Sequence, residues 1–201
     1  MRLITSFLLL LLSLPTLANK KDVLELTPFI GYRIGGEFDE NNEDTRIELE
    51  DASSFGLLFA WPYDSHRQGE LLLSHYDTDF TENSTITINK PGLSVTYLHL
   101  GGNVQIAEGV VPFWINGGLG LAHLSPDDNL LNDETKFSAN IGINTRFKLS
   151  ESLSFRIDGR VFGTFFNSDS RLFCDNADCT VYITSNLWVQ SELSAGLTFS
   201  F

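Results

Sequence analysis

Three features of the sequence predict an all-β chain, closed into an antiparallel up-and-down barrel of about eight strands. They are long stretches of period-two alternation, connections that alternate between long and short, and an apolar face read as free of charge within the spans. The clearest stretch is the last, WVQSELSAGLTFSF. Leu187, Val189, Ser191, Leu193, Ala195, Leu197, Phe199 and Phe201 form one face. Trp188, Gln190, Glu192, Ser194, Gly196, Thr198 and Ser200 form the other. A mean strand has about 5–6 residues, whereas a strand that crosses a membrane needs about 9–11.

Residues 1–18 stand apart from this pattern. Arg2 is a short basic region, Leu3 to Leu14 an apolar run, and Thr16-Leu17-Ala18 a small-residue cleavage site after Pro15. This predicts a secretory signal cut after Ala18, the rival being an N-terminal anchor. The run is short for a spanning helix, and no Cys near the site suggests a lipoprotein. Residues 19–201 then form one domain. Loss of Arg2 takes the net charge from −13 to −14, a poor match to nucleic acid, whose binding rests on Lys and Arg.

The strands follow in order. Leu24 to Gly35 sets Leu24, Leu26, Pro28, Ile30, Tyr32 and Ile34 against Glu25, Thr27, Phe29, Gly31 and Arg33. After the polar loop EFDENNEDTR, Ser54 to Tyr63 presents Phe55, Leu57, Phe59, Trp61 and Tyr63 on one side. A short turn leads to Gly69–Thr78, with Leu71 and Leu73 opposite Glu70 and Ser74. Leu93 to Val104 is a strand of uncertain phase. Leu93, Val95 and Tyr97 open one face while Leu98 and Leu100 favour the other, and a bulge near Tyr97 would reconcile them. Next, Phe113, Ile115, Leu119 and Leu121 oppose Trp114, Asn116, Gly118, Gly120 and Ala122. Two clear strands follow, Lys136 to Leu149 and Leu153 to Phe165, joined by a turn around Ser150–Ser152. NSDSRLFCDNADC is a long loop before the final strand.

Alternation alone does not say which face is inside. The apolar face carries no Lys, Arg, Asp or Glu in this reading, as lipid contact demands, since a Lys or Arg at the bilayer midplane costs about 2–4 kcal/mol. The polar face mixes small residues with charges of both signs, which suits the narrow bore of eight strands. Arg33, Glu70, Arg146, Arg156, Asp158, Arg160 and Glu192 would pair inside it, with Arg33 meeting Glu192 where the last strand closes on the first. The aromatics sort into two girdles. Trp61, Tyr63, Phe113, Phe147, Phe155, Phe199 and Phe201 gather at the short-turn end, and Tyr32, Phe55, Phe137 and Phe165 at the other. The predicted fold is therefore a closed transmembrane barrel with long extracellular loops and short periplasmic turns.

FGLLFAWPYD, RQGELLLSHYDTD, LHLGGNV, GGLGLAHLSP, GRVFGTFFNSDSRLFC and ELSAGLTFSF together resemble the small proteobacterial outer-membrane barrels of the OmpA/OmpX-like, porin-family type. The resemblance implies outer-membrane localisation, lipid and lipopolysaccharide as neighbours, and a monomer. It also implies insertion by the barrel-assembly machinery, with periplasmic chaperones, through a C-terminal signal that falls here on Phe199 and Phe201.

Cys174 and Cys179, an even pair in an exported chain, predict a disulfide. The short loop limits its stabilisation to roughly 2 kcal/mol, and two Cys without a nearby His fall short of a metal site. The enzyme reading rests on His123-Leu124-Ser125, the spacing of barrel lipid A deacylases, but Pro126 and Asp127 follow where that family is Asn-rich. His66, His75 and His99 assemble no catalytic set by spacing. Glu37, Asp39, Glu40, Glu43, Asp44, Asp127, Asp128 and Asp133 make acidic loops without the order of a calcium loop. The sequence thus predicts a non-enzymatic barrel without cofactor, its bore filled by charge, acting in envelope integrity or surface contact. A small ion or solute channel and a lipid A-modifying enzyme are the rivals.

Overall fold

The computed structural model describes residues 23–39, 46–82, 92–109, 111–127, 132–166, 171–175, 178–182 and 187–201. The predicted signal and its cleavage site lie outside them. Twelve strands run in chain order: β1 (Glu25–Ile34), β2 (Gly36–Asp39), β3 (Arg46–Leu49), β4 (Ala52–Pro62), β5 (Arg67–Glu82), β6 (Gly92–Ala107), β7 (Phe113–Pro126), β8 (Glu134–Lys148), β9 (Leu153–Phe165), β10 (Arg171–Asp175), β11 (Asp178–Tyr182) and β12 (Leu187–Ser200).

Eight of them close the wall. The order β4-β1-β12-β9-β8-β7-β6 is completed by β5, which pairs with both β4 and β6. Every contact is antiparallel, and each of the eight is paired on both sides, so no long strand keeps an open edge, as hydrocarbon surroundings require. The strands are tilted. From Glu25, successive cross-strand partners are Ala60, Glu70, Gly101, Gly118, Asn140, Phe162 and Gln190. That row returns to β1 one residue past the Ile34–Ser191 pair, beside Gly35 rather than Glu25. A stagger of this kind accompanies a strand tilt of about 35–45°.

The apolar face points outward. Ile30, Leu57, Leu73, Leu100, Leu119, Ile141, Ile143 and Leu193 are all exposed, which in water would be an aggregation surface. Both aromatic girdles lie on this face. Tyr63, Phe113, Phe147, Phe199 and Phe201 are exposed toward the short-turn end, and Tyr32, Phe55, Phe137 and Phe165 toward the long-loop end.

Four details correct the sequence reading. First, β6 has no bulge near Tyr97. Its register with β5 is continuous from Arg67↔Val104 to Asp79↔Gly92, and the irregularity lies between Gln105 and Ala107. Leu93, Val95 and Tyr97 point inward while Leu98 and Leu100 point outward, because the upper bore is itself apolar. Second, Asp77 breaks the rule of an uncharged outer face. It lies within the predicted span Gly69–Thr78, on the face of Leu71 and Leu73, and is exposed. Third, the first long loop carries the β2–β3 hairpin, which continues the sheet above the wall by pairing β3 with β5. Fourth, the last carries a separate β10–β11 ribbon.

The closing seam has one break. Leu24 and Phe201 exchange two backbone hydrogen bonds of 3.0 Å. Antiparallel alternation then makes 28/197 a bonded position. The β1–β12 register instead skips from Leu26↔Phe199 to Phe29↔Gly196. Pro28 has no N–H to give the Leu197 carbonyl, and a Thr27–Thr198 hydroxyl bond of 2.8 Å ties the seam from inside. Toward β4, where Pro28 faces Leu57, the register is unbroken. Pro28→Val should restore the ladder and raise stability by about 1 kcal/mol, after allowing for the greater freedom of the unfolded chain. The check is the urea midpoint in lipid vesicles; a lower midpoint would mean that the carbonyl is already satisfied.

Candidate functional site: the filled bore and the outer polar rim

The bore is built in layers, each supplied by inward positions of several strands. At the short-turn end Arg146 (β8) bridges Glu25 (β1) at 2.5 Å and Gln68 (β5) at 2.9 Å, with its guanidinium 4.8 Å from the centre of the Trp114 ring. Outside this mouth, the β4–β5 turn is closed by Asp64. Its carboxylate accepts from the backbone N–H groups of His66 and Arg67 and pairs with the Arg67 side chain. The backbone bond from His66, then the Arg67 bond, stabilise the carboxylate and hold its pKa below the ordinary aspartate value.

Above Arg146 is the main charge cluster. Arg156 reaches Glu70 at 2.9 Å and Asp158 at 2.6 Å. Arg160 reaches Glu70 at 2.5 Å and Asp158 at 3.0 Å. Each carboxylate therefore bridges two guanidiniums. Asn103 donates to Glu70 at 2.7 Å, Asn116 donates to Asp158, and the Asn140 carbonyl accepts from Arg160. Small residues opposite make the room. A Cβ on Gly142 would stand 2.6 Å from Asn116 Oδ1 and 2.8 Å from Arg160 Cγ.

The next layer centres on Arg33 (β1), which is wholly buried. It pairs with Glu192 (β12) at 2.5 Å and donates to Ser74 at 3.0 Å. Its guanidinium also lies over the rings of Tyr76, Tyr97 and Phe162, at 4.8, 4.8 and 4.0 Å. Both tyrosine hydroxyls donate to Gln190. Above them, Val95, Ala122, Leu93, Leu124, Phe166 and Trp188 fill the bore with apolar side chains. The seven charges named from the sequence thus all point inward, and six of them are joined into two groups. Arg33 and Glu192 form one, and Glu70, Arg156, Asp158 and Arg160 the other, with Arg146 pairing instead to Glu25. Sequence reading missed Glu25 as the balancing carboxylate, and it missed the aromatic layer and apolar cap, since apolar inward residues do not stand out from apolar outward ones.

The remaining candidates lie elsewhere. His123 faces outward, with Nδ1 3.0 Å from Thr135 Oγ1. Ser125 donates to Asp133 at 2.6 Å. A nucleophilic serine needs a base to take its proton; here its hydrogen bond goes to a carboxylate, and the imidazole is held by a threonine. His99 lies inside, against Asn140, Tyr97 and Phe162, and His66 meets Glu108 outside at 3.0 Å. Cys174 and Cys179 are direct cross-strand partners in the β10–β11 ribbon. Asp127 and Asp133 lie at the long-loop end; Glu37 and Asp39 are in β2. Glu40, Glu43, Asp44 and Asp128 fall outside the described residues. No group of three or more His, Cys, Asp or Glu able to hold a metal is found among the described residues.

No protein-family model matches the chain, and no curated protein sequence matches it. Solved structures do. Neisserial surface protein A aligns with a TM-score of 0.59 at 9% identity, over 90% of this chain and 97% of that one. The outer membrane protein OprG of Pseudomonas aeruginosa gives 0.55 at 11% identity, over 90% and 96%. The outer membrane protein AlkL gives 0.51 at 12% identity, over 94% of each. The likeness is one of fold. With an apolar exterior and a wall closed on itself, the chain has the fold of a small eight-stranded barrel of the outer-membrane type.

Proposed function

We propose that the protein is a non-catalytic outer-membrane barrel with a bore closed by its own side chains, acting in envelope integrity or in surface contacts through its acidic loops. The observation that carries this reading is the matched filling of the bore. Four guanidiniums (Arg33, Arg146, Arg156, Arg160) meet four carboxylates (Glu25, Glu70, Asp158, Glu192), and an aromatic layer and apolar cap lie above them. Charged rings that select ions leave a passage between them; here Arg156 and Arg160 on β9 reach across the bore to Glu70 on β5, and Arg146 on β8 reaches Glu25 on β1. Lipid and lipopolysaccharide surround the wall, and Phe199 and Phe201 serve as the assembly signal. The facing positions of Cys174 and Cys179 favour a disulfide that braces the β10–β11 ribbon.

The test is planar-bilayer recording of the refolded, oxidised protein, with heat-modifiable migration confirming a folded barrel and thiol titration of the same sample. A silent bilayer and no titratable thiol are expected. Discrete steps that change with Arg156→Ala would make the protein a channel, and free thiols would remove the disulfide.

A further inference from the structure

Two rows of outward polar side chains cross β5–β8 immediately above the apolar band. In the first row His75, Thr96, His123 and Thr135 are successive cross-strand partners. Two residues further up each strand, Asp77, Ser94 and Ser125 face one another in turn, and Asp133 completes the row. The same unit occurs twice. His75 Nδ1 lies 2.8 Å from Thr96 Oγ1, its Nε2 is 3.4 Å from Asp77, and Asp77 accepts from Ser94 at 2.5 Å. His123 Nδ1 lies 3.0 Å from Thr135 Oγ1, its Nε2 is 3.8 Å from Asp133, and Asp133 accepts from Ser125 at 2.6 Å.

This facet is not a rim common to the whole barrel. On the opposite wall, outward apolar residues continue upward as Ile34, Phe165 and Leu187, all exposed. Below the polar rows, on the same strands, stand exposed Leu73, Leu98, Leu121 and Phe137. The Phe55 ring borders His75, with centroids 5.2 Å apart.

We propose that this facet holds the saccharide headgroup of a glycolipid in the surrounding leaflet, a reading that rests on the membrane placement above. The facet lies outside the wall, so its ligand comes from the bilayer side and not through the bore. Each unit offers carboxylate oxygens, an imidazole and two hydroxyls, which are groups that exchange hydrogen bonds with vicinal sugar hydroxyls. Phe55 and Phe137 give flat faces at the lower edge for sugar C–H groups, and the leucines beneath take acyl chains. The two carboxylates, with no Lys or Arg in either unit, disfavour a phosphate and favour an uncharged polyol.

The mature barrel is placed in nanodiscs of equal parts phosphatidylcholine, phosphatidylethanolamine and diglucosyl diacylglycerol, and the lipids it retains are counted by native mass spectrometry. The glycolipid is expected to be retained about tenfold over either phospholipid, the effect of one to two hydrogen bonds. The double variant Asp77→Asn, Asp133→Asn should lose that preference, while Leu187→Ala on the opposite wall keeps it. Equal retention of the three lipids overturns the proposal. Preferential phosphatidylethanolamine overturns it in favour of an ammonium site. Displacement of the glycolipid by the free disaccharide at equal concentration overturns the membrane source. Heat-modifiable migration of every variant reports the folded barrel separately, so a lost preference in a folded barrel leaves the membrane reading intact.

Discussion

Glu70→Ala is expected to cost about 3–5 kcal/mol, the range for removing one partner of a buried ion pair. Glu70 is 3% exposed and holds Arg156, Arg160 and the Asn103 amide at once. Its loss leaves two guanidiniums in the bore to share Asp158 alone. The loss should appear as a lower urea midpoint in vesicles and as earlier disappearance of the compact band on heating. Combining Glu70→Ala with Arg156→Met should cost less than the sum of the two, because the second change removes the charge that the first strands. Strict additivity would mean that water screens the cluster and that the bore is open.

Phe162→Ala is the second large effect. Phe162 is fully buried, lies against Tyr97 and His99 at 4.9 and 5.7 Å, and carries Arg33 on its face at 4.0 Å. A buried Phe cut to Ala costs about 3–5 kcal/mol. The loss also opens the aromatic layer between the charge cluster and the apolar cap. Phe162→Leu should recover most of the stability but not the ring contact with Arg33. Measured side by side, the two variants separate filling from ring contact. If Phe162→Leu costs nothing, the ring face contributes nothing beyond volume; if it costs as much as Phe162→Ala, the ring contact and not the volume carries the loss.

These two sites show what the sequence could and could not convey. The faces of β8, β9 and β12 were legible because every second residue is apolar and the others are small or polar. The Arg33–Glu192 pair was legible too, since closing a barrel sets its last strand against its first, and the two are direct partners in the register. Glu70 was legible only as an inward carboxylate. Its partners on β9 stand across the bore, and which residues meet there depends on tilt and stagger, which alternation does not encode. β6 misled because Leu93, Val95 and Tyr97 are apolar on the inner face, as Leu98 and Leu100 are on the outer. Halfway along the strand the apolar side changes from inner to outer, with Ser94 and Thr96 outward above and His99 and Asn103 inward below, so the contrast inverts without a change of register and a bulge is the wrong repair. Asp77 misled for a related reason: alternation tells in from out, but not where along a tilted strand the lipid ends.

The pairing of four guanidiniums with four carboxylates has an electrical consequence. Moving one charge through a 100 mV membrane potential is worth about 2.3 kcal/mol. Opposite charges held within hydrogen-bond distance of each other, as Arg33 and Glu192 are, feel nearly the same potential, and their contributions cancel. The filled bore is therefore electrically inert: a voltage across the membrane neither pulls its contents toward one mouth nor favours one orientation of the wall. The protein's surplus of 26 acidic over 13 basic residues then falls on parts outside the bore, and it falls unevenly: at the short-turn end Asp64, Glu108 and Glu151 stand beside Arg67 and Lys148, whereas the long-loop end is strongly acidic, so the barrel is a neutral shaft under one negatively charged collar.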